Sequence, residues 1–374
     1  MDAMLHAIED RYRLIDISPG RLEDFRLGQG TPADPGLLVE ESGWSLYCLD
    51  FAQRNAVFVQ LSPEADLADA AFSGAKQFQE ARRVGLLPFA ALEGISRRVA
   101  PPQSLIFIFS MGRCGTTLAN RMLNEVEGVW SLSEPDVHFD IAMKRAELDH
   151  NEALMLVRAA TRLLFRPPAR RRSHTMAIKL RGQTLFQAKT FHAAFPDAKN
   201  VFMYRDGASW ANSNYQLGQR LGIAKEYDVE TRKFVWFMVS AATNPAYLGP
   251  FFDMAGPSVC ADQLFAPAWA LYIDEYQRLV ADGMPFLAIR YDELSRDRET
   301  TALRLLEHCG LPAGELGAVL EVFEEDSQAG SSIARSRAAI SFTPEDYDRF
   351  RATLALHPRV KSPDVLLPDS YRGA

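Results

Sequence analysis

The feature that most constrains the fold is an apolar run that ends in a glycine-containing turn and continues as a helix. Residues 104–110, SLIFIFS, predict a buried strand, residues 111–117 read MGRCGTT, and the LANRMLNEV that follows predicts an amphipathic helix. Glycines allow the backbone to approach an anion closely, and a helix N-terminus adds partial positive charge. The junction therefore predicts an anion-binding loop in an α/β fold.

The side chains of this loop favour a terminal anion over a nucleoside triphosphate with magnesium. The triphosphate loop GxxxxGK[ST] requires four residues between its glycines and a lysine after them. Here only two residues separate Gly112 from Gly115, and Thr116 follows. Hydroxyl groups and a forked guanidinium bind phosphate or sulfate, so the candidate ligand-binding residues are Gly112, Arg113, Cys114, Gly115, Thr116 and Thr117. A tight surface turn is the other interpretation.

Further strand-like runs alternate with helical segments after residue 104. They begin at Thr175 (TMAIKL), Asn200 (NVFMY) and Pro285 (PFLAIRY). Near-continuous apolar strands between helices indicate a parallel sheet covered on both faces, with ligands beyond the carboxyl ends of its strands. We therefore predict a P-loop-type three-layer α/β domain with a central parallel sheet.

The first hundred residues predict a small α+β module without a chemical motif. Strand-like runs cover residues 44–51 and 55–61, and a helical stretch covers 66–83. The two prolines that end Arg98–Pro102 indicate a linker. We expect an N-terminal module over residues 1–100 and the α/β domain over residues 101–374.

A second candidate anion site follows the strand NVFMY. Arg205 stands at the strand end, and Ser213 lies eight residues later in a predicted helix. A guanidinium and a hydroxyl at this spacing can face the same phosphate oxygens. A surface turn with a buried serine is the alternative.

The two sites together resemble the sulfotransferases that use 3′-phosphoadenylyl sulfate (PAPS), and in particular the bacterial and carbohydrate-type members. In that family the 5′-phosphosulfate loop commonly reads RSGTT, which is similar to Arg113–Thr117 with Cys114 in place of serine. An arginine and a serine spaced like Arg205 and Ser213 hold the 3′-phosphate. The resemblance implies PAPS as donor, no metal, and a closing loop within residues 326–337 that would add Arg335. It covers residues 104–337.

Sulfuryl transfer also requires a base for the acceptor proton and positive charge for the leaving oxygen. Glu134, in a segment predicted to be extended before Pro135, is the first candidate base, His138 the second and Asp136 the third. Helix capping by Asp136 and a solvated Glu134 form the alternative. Lys179 and Arg181 fall on one side of their strand. Lys179 is a candidate to stabilise the leaving oxygen or to hold the sulfonate. A purely structural ion pair explains the presence of these two basic residues equally well.

Composition restricts the partners and the compartment. The net charge of −7 gives no overall positive potential that would attract nucleic acid, and no apolar run has the length of a membrane helix. The four cysteines lack disulfide or zinc spacing, and no signal peptide is recognisable, so we expect a cytoplasmic protein.

The expected partner is a small-molecule or carbohydrate acceptor. Aromatic residues between Phe234 and Met254 form either helical core or an acceptor cleft, and the basic run Arg166–Arg172 either attracts an acidic acceptor or is a solvated loop. The alternatives to a sulfotransferase are an atypical P-loop kinase or nucleotide hydrolase and a non-catalytic nucleotide-binding module. A kinase would need an acidic residue after NVFMY, where Arg205 stands instead.

Overall fold

The computed structural model describes residues 2–13, 15, 18–168, 170–240, 245–251, 256–324 and 341–368. Two main sheets organise them. The first is antiparallel and contains β1 (Ala3–Arg11), β2 (Phe25–Leu27), β3 (Thr31–Ala33), β4 (Trp44–Asp50), β5 (Asn55–Gln60) and β6 (Arg83–Pro88). Its order is β2-β1-β6-β5-β4, with β3 also paired to β1. Its helices are α1 (Leu37–Glu40), α2 (Ser73–Glu80) and α3 (Phe89–Ser96).

The second sheet has five parallel strands in the order β13-β10-β7-β9-β8. They are β7 (Ser104–Ser110), β8 (Val129–Ser133), β9 (Thr175–Lys179), β10 (Lys199–Tyr204) and β13 (Leu287–Arg290). A short ribbon pairs β11 (Glu226–Tyr227) with β12 (Val259–Cys260). Because β9 and β10 flank β7 on opposite sides, the strand order reverses beside β7, and such a switch point opens a crevice at the carboxyl ends of the strands.

Helices surround this parallel sheet. They are α4 (Thr116–Asn124), α5 (Asp136–Met143), α6 (His150–Leu164), α7 (Ala188–Ala194), α8 (Gly207–Arg220), α9 (Val229–Ser240), α10 (Ala261–Ala281), α11 (Tyr291–Arg296), α12 (Arg298–His308), α13 (Leu316–Glu321) and α14 (Pro344–Leu354). Short 3₁₀ helices cover Leu22–Asp24, Leu67–Asp69, Gly182–Gln187, Pro245–Leu248, Ala313–Glu315 and Val322–Glu324. The predicted fold class, a parallel α/β sheet preceded by an α+β module, is confirmed.

Two sequence predictions about secondary structure were wrong. The helix expected over 66–83 is interrupted: a 3₁₀ turn at 67–69 precedes α2, and residue 83 already begins β6. The strand β8 was not predicted, because its five residues, VWSLS, include two serines and form no continuous apolar run. Buried on both faces at the sheet edge, β8 places Glu134 directly after its last residue.

Arginines of the run 166–172 hold the antiparallel module against the parallel sheet domain. Arg166 donates from Nη1 to the carbonyl of Leu38 at 2.7 Å, and Arg170 pairs with the buried Asp66 at 3.2 Å. Arg171 also contacts Asp66 and pairs with Asp69 at 3.1 Å. Three of the four arginines of the run thus have structural partners, and we do not retain the run as a patch for an acidic acceptor. The division at residue 100 stays a prediction.

Candidate active site

The loop between β7 and α4 has left-handed backbone at three positions. The φ angles are 71° at Gly112, 56° at Arg113 and 81° at Gly115. Glycine adopts such angles without steric cost, whereas a side chain there is uncommon. A Cβ added at Gly115 would lie 2.7 Å from the ring of Tyr291. Both glycines are therefore required by the path that brings the chain into α4.

Trp210, on α8, supports this loop from beneath. Its Nε1 donates to the carbonyls of Met111 and Gly112, both at 3.0 Å. The thiol of Cys114 donates to the carbonyl of Met203 at 3.2 Å, and burial raises its pKa to about 12. Cys114 therefore stays a protonated thiol that points into the protein, and only its main-chain groups are available to bind a ligand. Sequence reasoning missed Trp210, although it lies between Arg205 and Ser213.

Three arginines converge on the cleft beside the loop. Arg113 donates from Nε to Oγ of Ser213 at 3.1 Å, and the guanidinium of Arg205 lies 4.7 Å from the centre of the Tyr291 ring. Burial lowers the pKa of Arg113, and so do the charges of Arg220 and Arg205. Arginine remains protonated in proteins, so the site places neighbouring positive charges together, and a bound anion would stabilise them.

Buried nitrogens of Arg113 and Arg205 in this cluster have no hydrogen-bond partner among the described residues. They are Nη1 of Arg113 and Nε of Arg205. A buried donor left unsatisfied costs about 1–3 kcal/mol, so the site is built for a ligand that accepts these hydrogen bonds. A group with several anionic oxygens meets that requirement.

The backbone around Arg205 fixes the direction of its side chain. Arg205 follows the last residue of β10, and Trp269 donates from Nε1 to its carbonyl at 3.0 Å. Asp206 caps α8 by accepting the N–H of Ser209 at 2.9 Å. Arg205 and Ser213 consequently line the same cleft, as their spacing predicts.

Glu134, Lys179 and Arg181 form a second charged group in the cleft. Nζ of Lys179 lies 2.7 Å from Oε1 of Glu134, and Nη1 of Arg181 lies 3.6 Å from Oε2. Lys179 also donates to Oγ1 of Thr117 at 3.2 Å. Burial alone would raise the pKa of Glu134, but Lys179 and Arg181 outweigh burial and lower it. Glu134 is therefore an ionised carboxylate whose basicity is held down by its neighbours.

The backbone of Glu134 differs from the extended conformation predicted before a proline. Its φ is 52°, in the left-handed region, and its N–H donates to the carbonyl of Lys179 at 2.7 Å. Such backbone costs of order 1–3 kcal/mol in a non-glycine residue and persists where the surroundings impose it. The pairing of β8 with β9 and the ion pair with Lys179 supply that constraint.

The other two candidate bases do not reach the cleft. His138 is fully buried, its Nε2 lies 3.1 Å from Oγ1 of Thr161, and its ring packs on Phe191. Burial lowers its pKa to about 3, so the imidazole is neutral. Asp136 is also fully buried and accepts two hydrogen bonds from Arg181, at 2.7 and 3.0 Å. Of the three candidates, only Glu134 thus reaches the cleft, and His138 lies on the buried face of α5.

The glycine loop, the pair Arg205 and Ser213, and the charged group of Glu134, Lys179 and Arg181 line one cleft of about 1080 Å³. Helix α9 contributes Phe234 and Met238 to its wall while Trp236 is buried, so the aromatic stretch supplies both core and cleft.

Arg335 and the predicted closing loop around it, from residue 326, lie outside the described residues. No set of metal-ligating side chains is found in the described part of the chain. None of the described helices combines the length and apolar character needed to cross a bilayer.

Comparison with known proteins identifies the family of the central segment. Residues 105–237 match the model of the Sulfotransferase family. This stretch contains the glycine loop, Glu134, Lys179, Arg205 and Ser213. For this segment, the match confirms the resemblance to sulfotransferases inferred from the sequence.

Solved sulfotransferase structures overlap with the fold at low sequence identity. A sulfotransferase from Alicyclobacillus acidocaldarius is 14% identical, with a TM-score of 0.41, over 69% of this chain and 92% of its own. Sulfotransferase STF9 from Mycobacterium avium is 14% identical, with a TM-score of 0.40, over 71% and 78%. Mouse sulfotransferase SULT7A1, solved in complex with PAP, is 12% identical, with a TM-score of 0.38, over 71% and 88%. No curated protein matches the chain in sequence.

Proposed function

We propose that this protein transfers a sulfuryl group from PAPS to a hydroxyl or amine of a small-molecule or carbohydrate acceptor. The observation that carries the proposal is that Arg113 and Arg205 each place a buried guanidinium nitrogen in one cleft with no hydrogen-bond partner in the described part of the chain. They lie beside a left-handed glycine loop within a segment of the Sulfotransferase family. A nucleotide with phosphates at both its 3′ and 5′ positions fits two such anion sites.

We assign the 5′-phosphosulfate to the loop and the 3′-phosphate to the cluster on α8. Residues Gly112–Thr117 and the open N-terminus of α4 present main-chain N–H groups to the first anion. Arg205 and Ser213 receive the second, and Arg335 stays a predicted third contact. Because Nε of Arg113 donates a hydrogen bond to Oγ of Ser213 at 3.1 Å, Arg113 connects the two anion sites.

The reaction is an in-line displacement at sulfur. The acceptor oxygen forms a bond to sulfur as the bond from sulfur to the bridging phosphate oxygen breaks, and the bisphosphate leaves with the electron pair. Glu134 takes the acceptor proton, and Lys179 neutralises the charge that develops on the leaving oxygen. Both groups already lie in the cleft, 2.7 Å apart.

The ion pair of Glu134 with Lys179 explains how an initially weak base becomes active. Lys179 stands between Glu134 and Thr117 of the loop, with contacts to both. An anionic donor in the loop attracts Lys179 towards it and weakens its hold on the carboxylate. The pKa of Glu134 then rises from its lowered resting value, so donor binding prepares the base for the acceptor.

The donor site predicts strong discrimination between related nucleotides. Adenosine 3′,5′-bisphosphate should bind without magnesium and raise the melting temperature more than AMP or ATP, because it satisfies both anion sites. Replacing Arg205 with alanine should weaken its binding by about 1.5–3 kcal/mol, and Ser213→Ala by about 1 kcal/mol. Calorimetric titration of both variants measures these losses.

The control ligand AMP shows whether Arg205 acts on the 3′-phosphate or on the rest of the nucleotide. AMP lacks that phosphate, so Arg205→Ala should leave AMP binding nearly unchanged. Arg82→Ala removes an exposed arginine away from the cleft and should not affect either ligand. Equal stabilisation of the wild type by AMP and the bisphosphate would refute the assignment of a 3′-phosphate site.

A further inference from the structure

The N-terminal module takes part in the cleft, although its sequence carries no chemical motif. Ile15, Pro19 and Phe72 line the cleft together with the loop and Glu134. The ring centre of Phe72 lies 5.3 Å from Nζ of Lys179. Phe72 therefore lies directly beside the group proposed to act on the leaving oxygen.

Close contacts fix this part of the module against Glu134. Oγ of Ser133 donates to the carbonyl of Ala71 at 2.6 Å, and a Cβ added at Gly74 would lie 2.0 Å from Oδ2 of Asp136. The same carboxylate oxygen accepts the N–H of Gly20 at 2.9 Å. Asp136 thus forms a hydrogen bond with the segment that carries Pro19 and packs closely against the segment that carries Phe72.

Helix α9 also contributes apolar side chains to the cleft. Among the described residues, Phe234 and Met238 are exposed large apolar side chains that line the cleft, at 55% and 38% exposure. The side chain of Gln183 contacts the carbonyl of Met238, which places the end of α9 next to the segment that follows β9. Exposed apolar side chains facing a catalytic cleft indicate a surface that a ligand covers.

The charged groups of the proposed reaction line the same cleft as these apolar side chains. Glu134, Lys179 and Arg181 lie there, where the reacting hydroxyl must be. The module also contributes the exposed Arg21 to the lining. A cleft that combines large apolar side chains with a local group of charges fits a molecule with one reactive hydroxyl and an apolar body.

We infer that residues 1–100 form one wall of the acceptor site and that the acceptor is an apolar alcohol or phenol, not a carbohydrate. This inference rests on the proposed function for the identity of the reaction. It assigns a specificity role to Phe72, from the module, and to Phe234, from α9. A sugar, with hydroxyl groups on every side, would leave several of them without hydrogen-bond partners against such walls.

Binding of 1-naphthol and D-glucose tests the inference without the donor. Naphthol fluorescence should report binding to the wild-type protein, and glucose in excess should not displace it. Phe72→Ala and Phe234→Ala should each weaken naphthol binding by at least about tenfold, because each removes a large apolar contact. Phe237→Ala, on the same helix and 46% exposed but outside the cleft lining, is the matched control and should change nothing.

Separate readouts distinguish this inference from the proposed function. The affinity for adenosine 3′,5′-bisphosphate should stay within about twofold in both variants. If the wild-type protein binds naphthol as expected but does not bind the bisphosphate, the donor assignment is refuted and the acceptor inference is not. Unchanged naphthol binding in Phe72→Ala, or displacement by glucose, would overturn the role of the module. If Phe72→Ala does not fold, Phe72→Leu replaces it: weaker naphthol binding with intact bisphosphate binding supports the role, and unchanged naphthol binding overturns it.

Discussion

Replacing Glu134 with glutamine should reduce turnover by about 10²–10⁴-fold while leaving the fold intact. Glutamine preserves the shape of the side chain but cannot take the acceptor proton. It also removes the negative charge that pairs with Lys179 at 2.7 Å. Donor affinity should therefore stay the same or rise, because Lys179 is released to the anionic donor. Turnover and bisphosphate binding, measured on the same preparation, check both parts.

A matched substitution tests whether the effect is specific. Glu125→Gln, at the exposed end of the loop helix, removes the same charge outside the cleft and should leave turnover unchanged. Loss of donor affinity in Glu134→Gln would make Glu134 a support for the loop. Unchanged turnover would remove it from the mechanism.

Asp136→Asn should lower the free energy of unfolding by about 3–5 kcal/mol, the cost of breaking a buried ion pair from one side. The carboxylate is fully buried and pairs with Arg181 at 2.7 Å and Arg13 at 3.5 Å, whose side chains are only 12% and 3% exposed. Asparagine leaves both guanidinium groups buried with less compensating charge. Chemical denaturation of the variant measures the loss.

The control for this prediction is Asp69→Asn. Its carboxylate pairs with Arg171 at 3.1 Å but is 57% exposed, so its removal should cost less than about 1 kcal/mol. A similarly small cost for Asp136→Asn would contradict the view that Asp136 joins the module to the site. Acceptor binding should weaken together with stability, because the same carboxylate bonds the segment that carries Pro19 and packs against the segment that carries Phe72.

The parts of the site that could be predicted from sequence are encoded by short local patterns. The loop at 112–117 and the pair Arg205 and Ser213 each follow a strand and enter a helix, so spacing alone brings them to one edge of a parallel sheet. The alternation of Lys179 and Arg181 likewise placed both beside Glu134.

The remaining parts depend on contacts between distant segments. His138 was a plausible base by its distance from Glu134 along the chain, but α5 is apolar on most of its surface and buries the imidazole. Trp210 and Tyr291 support the loop and Arg205 through tertiary packing, for which their sequence neighbourhood gives no signal. Phe72 reaches the cleft only because the module docks against β8 and α5, which no local pattern indicates.

Incubation with PAPS radiolabelled at sulfur tests the central claim most directly. With a set of apolar alcohols and phenols and no magnesium, the wild-type protein should move the label to an acceptor and release one adenosine 3′,5′-bisphosphate for each labelled product. Glu134→Gln should bind the donor and transfer almost no label. Tight bisphosphate binding without transfer to any acceptor pool would indicate a non-catalytic nucleotide-binding module, and magnesium-dependent phosphoryl transfer from ATP would indicate a kinase; either result would contradict the account.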